Sequence, residues 1–334
     1  MPTAKSPVAD TFEIRLVADD TAWDAFVCQA VGGTVFSTSA WLRCAAAATG
    51  GQIHRLGCYR NGSLVAGLSG LARRRWGLYR LETPELTPYT GLLLAPVAGK
   101  GPAKAEAAQH RACTHLLEYL AKHYDRVFLV HAPPIADVRP FAWQGWDAHL
   151  RYTYRLPLGD SNALWERIER RTRTAIRKAE KLAYQLRPTS DVALFRRQYE
   201  AIYANQADGP PIAAALAERF VAAALEASLA QAYEIASPDG PAAVVAFVEG
   251  FDTTYAWAAG ADPAYNHTGA ISLLYWQYWD AVNHNCFDFV GANMPNIAFF
   301  KRGFGCDLVP YYAVEGYKSG WVKRAFGLRQ ALRG

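Results

Sequence analysis

Short runs rich in apolar residues over Glu13–Val17, His54–Tyr59 and Leu64–Leu71 read as strands. Between the last two lies Arg60-Asn61-Gly62-Ser63, and Asn-Gly between two apolar runs predicts a tight hairpin. Helical spacing governs Asp20–Ala30, capped by Asp20 or Thr21. It also governs Trp41–Ala48, which follows Thr38-Ser39 and stops at Gly50-Gly51, and Ala105–His123. Gly77–Thr83 and Tyr89–Leu94 read as further extended segments. Later, Leu164–Leu182 predicts one charged helix with Trp165, Ile168, Thr172 and Ile176 on its apolar stripe. Asp191–Asn205 predicts another, with Leu194, Phe195, Tyr199 and Ile202 inward. Tyr233–Ala236, Ala243–Glu249 and Thr253–Ala258 predict three antiparallel strands, and Ile271–His284 a helix after them.

The pattern repeats about half a chain apart. The earlier copy runs Arg126 to Val130, Pro133-Pro134-Ile135, Phe141, then Gly145-Trp146. The later copy runs Cys286 to Val290, Pro295-Asn296-Ile297, Phe299-Phe300, then Gly303-Phe304. Each copy follows an apolar-striped helix and precedes a strand, Tyr152–Leu156 in one and Leu308–Val314 in the other. The order predicts two homologous α/β halves. Aligning Gly145-Trp146 with Gly303-Phe304 sets Trp143 opposite Lys301, so a lysine stands in one copy only. The expected division is 1–150 and 151–334. No linker composition separates the halves, so a packed seam is expected.

With 334 residues, half of them hydrophobic, the chain can build packed cores. Its six cysteines are scattered, with no Cys-x-x-Cys pair and no Cys/His cluster at zinc spacing, so no metal site is expected. Met1–Asp10 lacks the apolar region of a secretory signal, and the most apolar helical stretch, Ala213–Ala236, is broken by Glu218, Arg219 and Glu226. A cytoplasmic location and no transmembrane segment are expected. The net charge of +5 is uneven. Arg171, Arg173, Arg177 and Lys178 crowd one helix, and smaller basic groups occupy Arg73-Arg74-Arg75 and the tail with Lys318, Lys323 and Arg324. A basic helical face either holds a polyanion or is simply solvated.

Three passages resemble the Fem-type aminoacyltransferases of the acyl-CoA N-acyltransferase-like (GNAT) superfamily. They are Phe36-Ser37-Thr38-Ser39-Ala40-Trp41, the basic run Arg170 to Ala179, and Phe287 to Gly305 with its "F-D-F-x-G … F-K-x-x-F-G" pattern. The resemblance implies a mixed α/β fold of two tandem GNAT-like domains around a cleft, without a coiled-coil arm. It implies amide formation from aminoacyl-tRNA to a small-molecule or peptide amine, such as a cell-wall precursor. Acyl-CoA or a carrier thioester is the alternative donor. No cofactor and no DNA partner are expected. It carries over Lys301 as the group contacting the donor, and Arg171, Arg173, Arg177 and Lys178 as RNA contacts.

Aminolysis needs a neutral amine, charge stabilisation at the carbonyl and a proton acceptor. Asp288, inside an apolar strand, is either that acceptor or half of an ion pair with a nearby arginine. Phe300 and Phe304 either shape the donor channel or fill the core. Tyr203, Asn205, Tyr255, Trp257, Tyr265, Asn266 and His267 are expected around the cleft as orienting groups. The turn Asn266–Ala270 is poor in the glycines and cations that hold a CoA pyrophosphate.

Overall fold

The computed structural model describes residues 10–97, 99, 101–204, 209–280, 282 and 284–331. In chain order the first half holds β1 (Phe12–Leu16), α1 (Asp20–Gln29), α2 (Ser39–Thr49), β2 (Gln52–Arg60), β3 (Ser63–Arg75), β4 (Leu78–Glu82), β5 (Leu92–Leu94), α3 (Pro102–His123), β6 (Arg126–Val130), α4 (Arg139–Trp143) and β7 (Asp147–Pro157). Then come α5 (Ser161–Arg167), α6 (Arg170–Lys181), β8 (Gln185–Thr189), α7 (Val192–Tyr203), α8 (Ala214–Glu226), β9 (Gln231–Ser237), β10 (Gly240–Glu249), β11 (Thr253–Ala261), α9 (Ala270–Trp279), β12 (Cys286–Asp288), α10 (Pro295–Arg302), β13 (Asp307–Tyr317) and α11 (Gly320–Ala331).

Among the described residues these strands make one sheet, in the order β1-β2-β3-β4-β6-β13-β7-β12-β11-β10-β9-β8, with β5 beside β3. The two halves exchange their last strands. β13 lies against β6 of the first half, β7 lies against β12 of the second, and β7 and β13 pair with each other antiparallel. Residue 150, where the sequence suggested a division, falls within β7. In each half one parallel pair interrupts the antiparallel order: β4 with β6, and β11 with β12.

Local chemistry explains most elements. Asn61 and Gly62 both take positive φ, which the two-residue turn between β2 and β3 requires. Thr38 caps α2 by accepting from the Trp41 amide. The expected helix 164–182 is instead two helices. Glu169 donates its amide to the Gly303 carbonyl, and Gly305 packs so tightly on the Arg167 carbonyl that a Cβ there would sit 2.3 Å away. That contact bends the chain at Ile168–Glu169 while the apolar stripe continues. Helical character over 213–236 ends at Glu226, with Ser228 in the left-handed region, and the chain becomes β9.

The seam is apolar, as the missing linker suggested. Trp41 of α2 lies 5.5 Å from Phe220 of α8 and 5.0 Å from Trp257 of β11, ring centre to ring centre. Such pairs each add about 0.5–1.5 kcal/mol beyond burial. Trp257 donates to the Leu86 carbonyl and Trp41 to the Thr87 hydroxyl, so a first-half loop is fixed onto the second half. This places Tyr89, on the same loop, against Tyr255 and Tyr311.

Candidate active site

β11 and β12 stay paired for only three residues, Thr253 with Cys286, Thr254 with Phe287, and Tyr255 with Asp288. Beyond that point the chain after β12 turns away, because Val290 and Gly291 both have positive φ. The apolar strand expected around Asp288 therefore stops at that residue, at the apex of a splay between strands. A cavity of about 390 Å³ opens there. Tyr255, Asp288, Arg155 and Asp252 line it from the second half and the exchanged strand, and Tyr89, Thr34 and the turn Val31–Gly33 line it from the first. Gly33 is required in that turn, since a Cβ would meet the Val27 carbonyl at 1.9 Å.

Asp288 is almost fully buried. One oxygen accepts from the Thr153 hydroxyl (2.6 Å) and the Val290 amide (2.8 Å), and the other from the Tyr89 hydroxyl (3.3 Å). Burial pushes its pKa above the ordinary carboxylate range, against the pull of the Thr153 hydroxyl, the Val290 amide, Arg155 and Lys301. Arg155 is opposite Asp288 in the sheet register, its Nε 3.7 Å from Oδ2, beyond a normal hydrogen bond. It donates to the Thr253 hydroxyl, but its buried Nε has no protein acceptor. Thr34 Oγ1, on the same cavity, is also buried without a partner. Unmatched polar groups on a cavity wall are where a ligand's own groups can complete the pairing.

Lys301 plays a different part from the one expected. Its ammonium donates to the carbonyls of Phe289 (2.7 Å), Val290 (2.8 Å) and Gly291 (2.5 Å). An ammonium has three donors, so none is left for a substrate, and Lys301 is not on the cavity wall. It clamps the left-handed turn that carries the Asp288 carboxylate's amide donor. Burial pulls its pKa down to about 8.

Of the residues expected around the cleft, the structure brings Tyr255 and Asp288 together and separates the rest. Phe304 is fully buried in the second-half core and Phe300 packs on it. Trp257 belongs to the seam. Tyr203 packs on Tyr199, away from the cavity wall. Tyr265, Asn266 and His267 lie in a 3-10 turn before α9, where His267 binds the Ala264 carbonyl in its own turn. Asn205 lies outside the described residues. On the basic helix, Arg171 is used internally. It pairs with Glu169, donates to the Phe299 carbonyl and covers the Phe299 ring at 3.5 Å. Arg173 pairs with Glu166, Lys178 donates to the His267 carbonyl, and Arg177 stays exposed beside Trp165.

Sequence reasoning missed Arg155, Thr153, Thr34, Tyr89 and Asp252. Arg155 had a signal of the same kind as Asp288, a charge inside the apolar strand Tyr152–Leu156. The others had none, because strand exchange and the seam create their proximity. Glu106, His110 and Asp137 also converge, but Arg139 pairs with both carboxylates and supplies the countercharge.

Residues 167–302 match the acetyltransferase (GNAT) domain family. No curated protein matches the chain at a significant level. Among solved structures the chain is similar to FemX, at 10% identity, covering 90% of this chain and 96% of that one with a TM-score of 0.65. It is also similar to a conserved protein of unknown function from Bacteroides thetaiotaomicron, at 12% identity over 91% and 99% of the two chains, TM-score 0.57. A third likeness is to the C-terminal domain of a putative lysylphosphatidylglycerol synthetase from Agrobacterium fabrum, at 11% identity over 92% and 96%, TM-score 0.52. Such distant likenesses establish the fold. The chain has the fold of FemX, with an acetyltransferase (GNAT) domain match over residues 167–302.

Proposed function

We propose that the cavity at the β11–β12 apex is an aminoacyl-transfer site that joins an amino acid from aminoacyl-tRNA to an acceptor amine. The observation that carries this reading is Asp288, a buried carboxylate with a raised pKa beside an arginine whose Nε is unpaired. In the reaction the amine nitrogen attacks the ester carbonyl. Arg155 Nε donates to the carbonyl oxygen as negative charge develops. Asp288 takes the proton from the amine, the C–N bond forms and the C–O bond to the ribose breaks. The proton then passes to the departing ribose hydroxyl. No covalent enzyme intermediate is needed.

The turn before α9 supports a donor other than CoA. The Ala270 amide, one of those that would cradle a pyrophosphate, already donates to Thr268 Oγ1. At Gly269 a Cβ would meet the Ala175 carbonyl of α6 at 2.2 Å, so α6 is pressed against this turn. A cell-wall precursor or other peptide amine is the proposed acceptor, and exposed Arg177 with the outer face of α6 the proposed contact for tRNA phosphates. The proposed location is the cytoplasm. The domain division at 150/151 is retained for the ancestral halves, before strand exchange. The acyl-CoA reading is kept because the family matched over 167–302 is named for acetyl transfer.

The test uses a charged tRNA pool with labelled amino acids, a panel of amine acceptors, and ribonuclease and acyl-CoA controls. Label transfer that disappears with ribonuclease and collapses in Asp288→Asn supports the proposal. Ribonuclease-resistant turnover with acyl-CoA replaces it with the thioester reading.

A further inference from the structure

The corner where the β3–β4 hairpin meets α11 collects groups that the transfer site does not use. At the hairpin tip Arg74, Arg75, Trp76 and Gly77 are all exposed, with Trp76 at 40% of its free surface. α11 carries Trp321, which is 81% exposed, with Lys323 and Arg324. The two pieces are joined by Phe326, whose ring lies 6.4 Å from Trp76 and 6.1 Å from Tyr317. Arg80 lies over both Trp76 and Phe326, at 4.7 and 4.5 Å. Two basic clusters that are far apart in sequence thus form one surface.

The charge on this surface is one-sided. Arg74, Arg75, Lys318, Lys323 and Arg324 are exposed, and among the described partners only Lys323 has a carboxylate, Asp147 at 2.6 Å. The neighbouring Glu82 and Glu315 face Arg80 and Arg126 instead. Asp125 accepts from the Tyr79 amide. Exposed tryptophan within a field of arginine and lysine has the composition of a bilayer-surface contact. The indole sits at headgroup depth, while the cations meet anionic phosphates and keep their stems on the apolar layer. No described helix is long and apolar enough to cross a membrane, so the contact would be peripheral.

We propose that this corner docks the protein on an anionic phospholipid bilayer. A lipid surface fits better than nucleic acid because the Trp76 ring is already covered by Arg75 and Arg80, which removes it as a stacking platform for bases. The inference is independent of the transfer reaction and of its donor.

The experiment is vesicle co-sedimentation of the full chain. Vesicles containing about one-third phosphatidylglycerol should bind it at least about tenfold more tightly than pure phosphatidylcholine vesicles. Trp321→Ser, and separately the pair Arg74→Glu and Arg75→Glu, should each weaken binding several-fold. Circular dichroism spectra should match the parent. Equal partition onto neutral and anionic vesicles would overturn the proposal. So would binding of transfer RNA, without vesicle binding, that the same charge reversals abolish.

Discussion

The two halves place three residues in register across the same three strands, and the triplets differ. In the first half they are Glu82 of β4, Phe128 of β6 and Glu315 of β13. In the second they are Tyr255 of β11, Asp288 of β12 and Arg155 of β7. The first triplet is closed. Arg126 pairs with both Glu82 and Glu315, and Arg80 lies 3.7 Å from Glu82. The second carries a carboxylate with a raised pKa, an arginine with an unpaired Nε, and a cavity beside them. In the first triplet, then, both carboxylates face arginines, whereas in the second the carboxylate and the arginine face a cavity. The second is where we place the proposed transfer chemistry.

The largest effect should come from Asp288→Asn. The amide keeps the shape but takes no proton, so kcat should fall about 10²–10⁴-fold, while folding is retained. As the proposed base, Asp288 would work only when ionised, so kcat in the parent should rise with pH through its raised pKa. The variant should lack that limb. The sign for stability is the opposite. A carboxylate with a raised folded pKa binds more protons folded than unfolded, so its contribution is complete below the ordinary carboxylate pKa and is lost as pH rises through the folded one. A wild-type pH profile in the variant would remove Asp288 from catalysis.

Glu82→Gln probes the first triplet. It takes a carboxylate from Arg80 and Arg126, whose side chains are 3% and 11% exposed, and should cost about 3 kcal/mol in denaturant unfolding. Because this triplet is structural, kcat of the folded variant should stay within about twofold of the parent. A large kcat loss without a stability loss would show that the first half also takes part in the reaction.

Much of this contrast was legible in the chain. The repeat, the hairpin at Asn61-Gly62, the lysine in one copy and the charge in an apolar strand at Asp288 were all visible, because each is a local pattern. What was not legible was which half a strand would join. β7 and β13 cross to the opposite half, and that exchange alone brings Arg155 and Thr153 to Asp288. β8 escaped notice because Arg187 and Pro188 break its pattern. As the last strand of the sheet order it tolerates proline, since one side needs no ladder partner. The contacts of Lys301 were hidden for a related reason. Spacing identifies a lysine near the apex but not the positive-φ turn at Val290-Gly291 that takes all its protons.

Lys301→Met should cost about 2 kcal/mol, since carbonyls that faced an ammonium lose their donor. The pH dependence identifies the cause. A lysine held down to about 8 binds fewer protons folded than unfolded between that pH and its ordinary value near 10.4. The parent's stability should therefore rise across this window relative to the variant. Parallel stability curves for the two proteins would mean that the ammonium is not buried in the turn.

The smallest effect should be Trp143→Lys, which puts a lysine at the first-half position matching Lys301. Trp143 is 66% exposed, with its ring 5.2 Å from His110 and Arg139 at 5.6 Å. Little packing is lost on replacing it. Little is gained either, because the segment after β6 is His131-Ala132-Pro133-Pro134, where no residue takes positive φ and proline cannot. Without left-handed residues to turn successive carbonyls toward one point, an ammonium at 143 meets no nest and stays in solvent. The change in unfolding free energy should be within about 0.5 kcal/mol. A shift well above that, in either direction, would mean that the first-half turn can still gather carbonyls around a cation. The specialisation of the second half would then rest on the lysine rather than on the backbone that receives it.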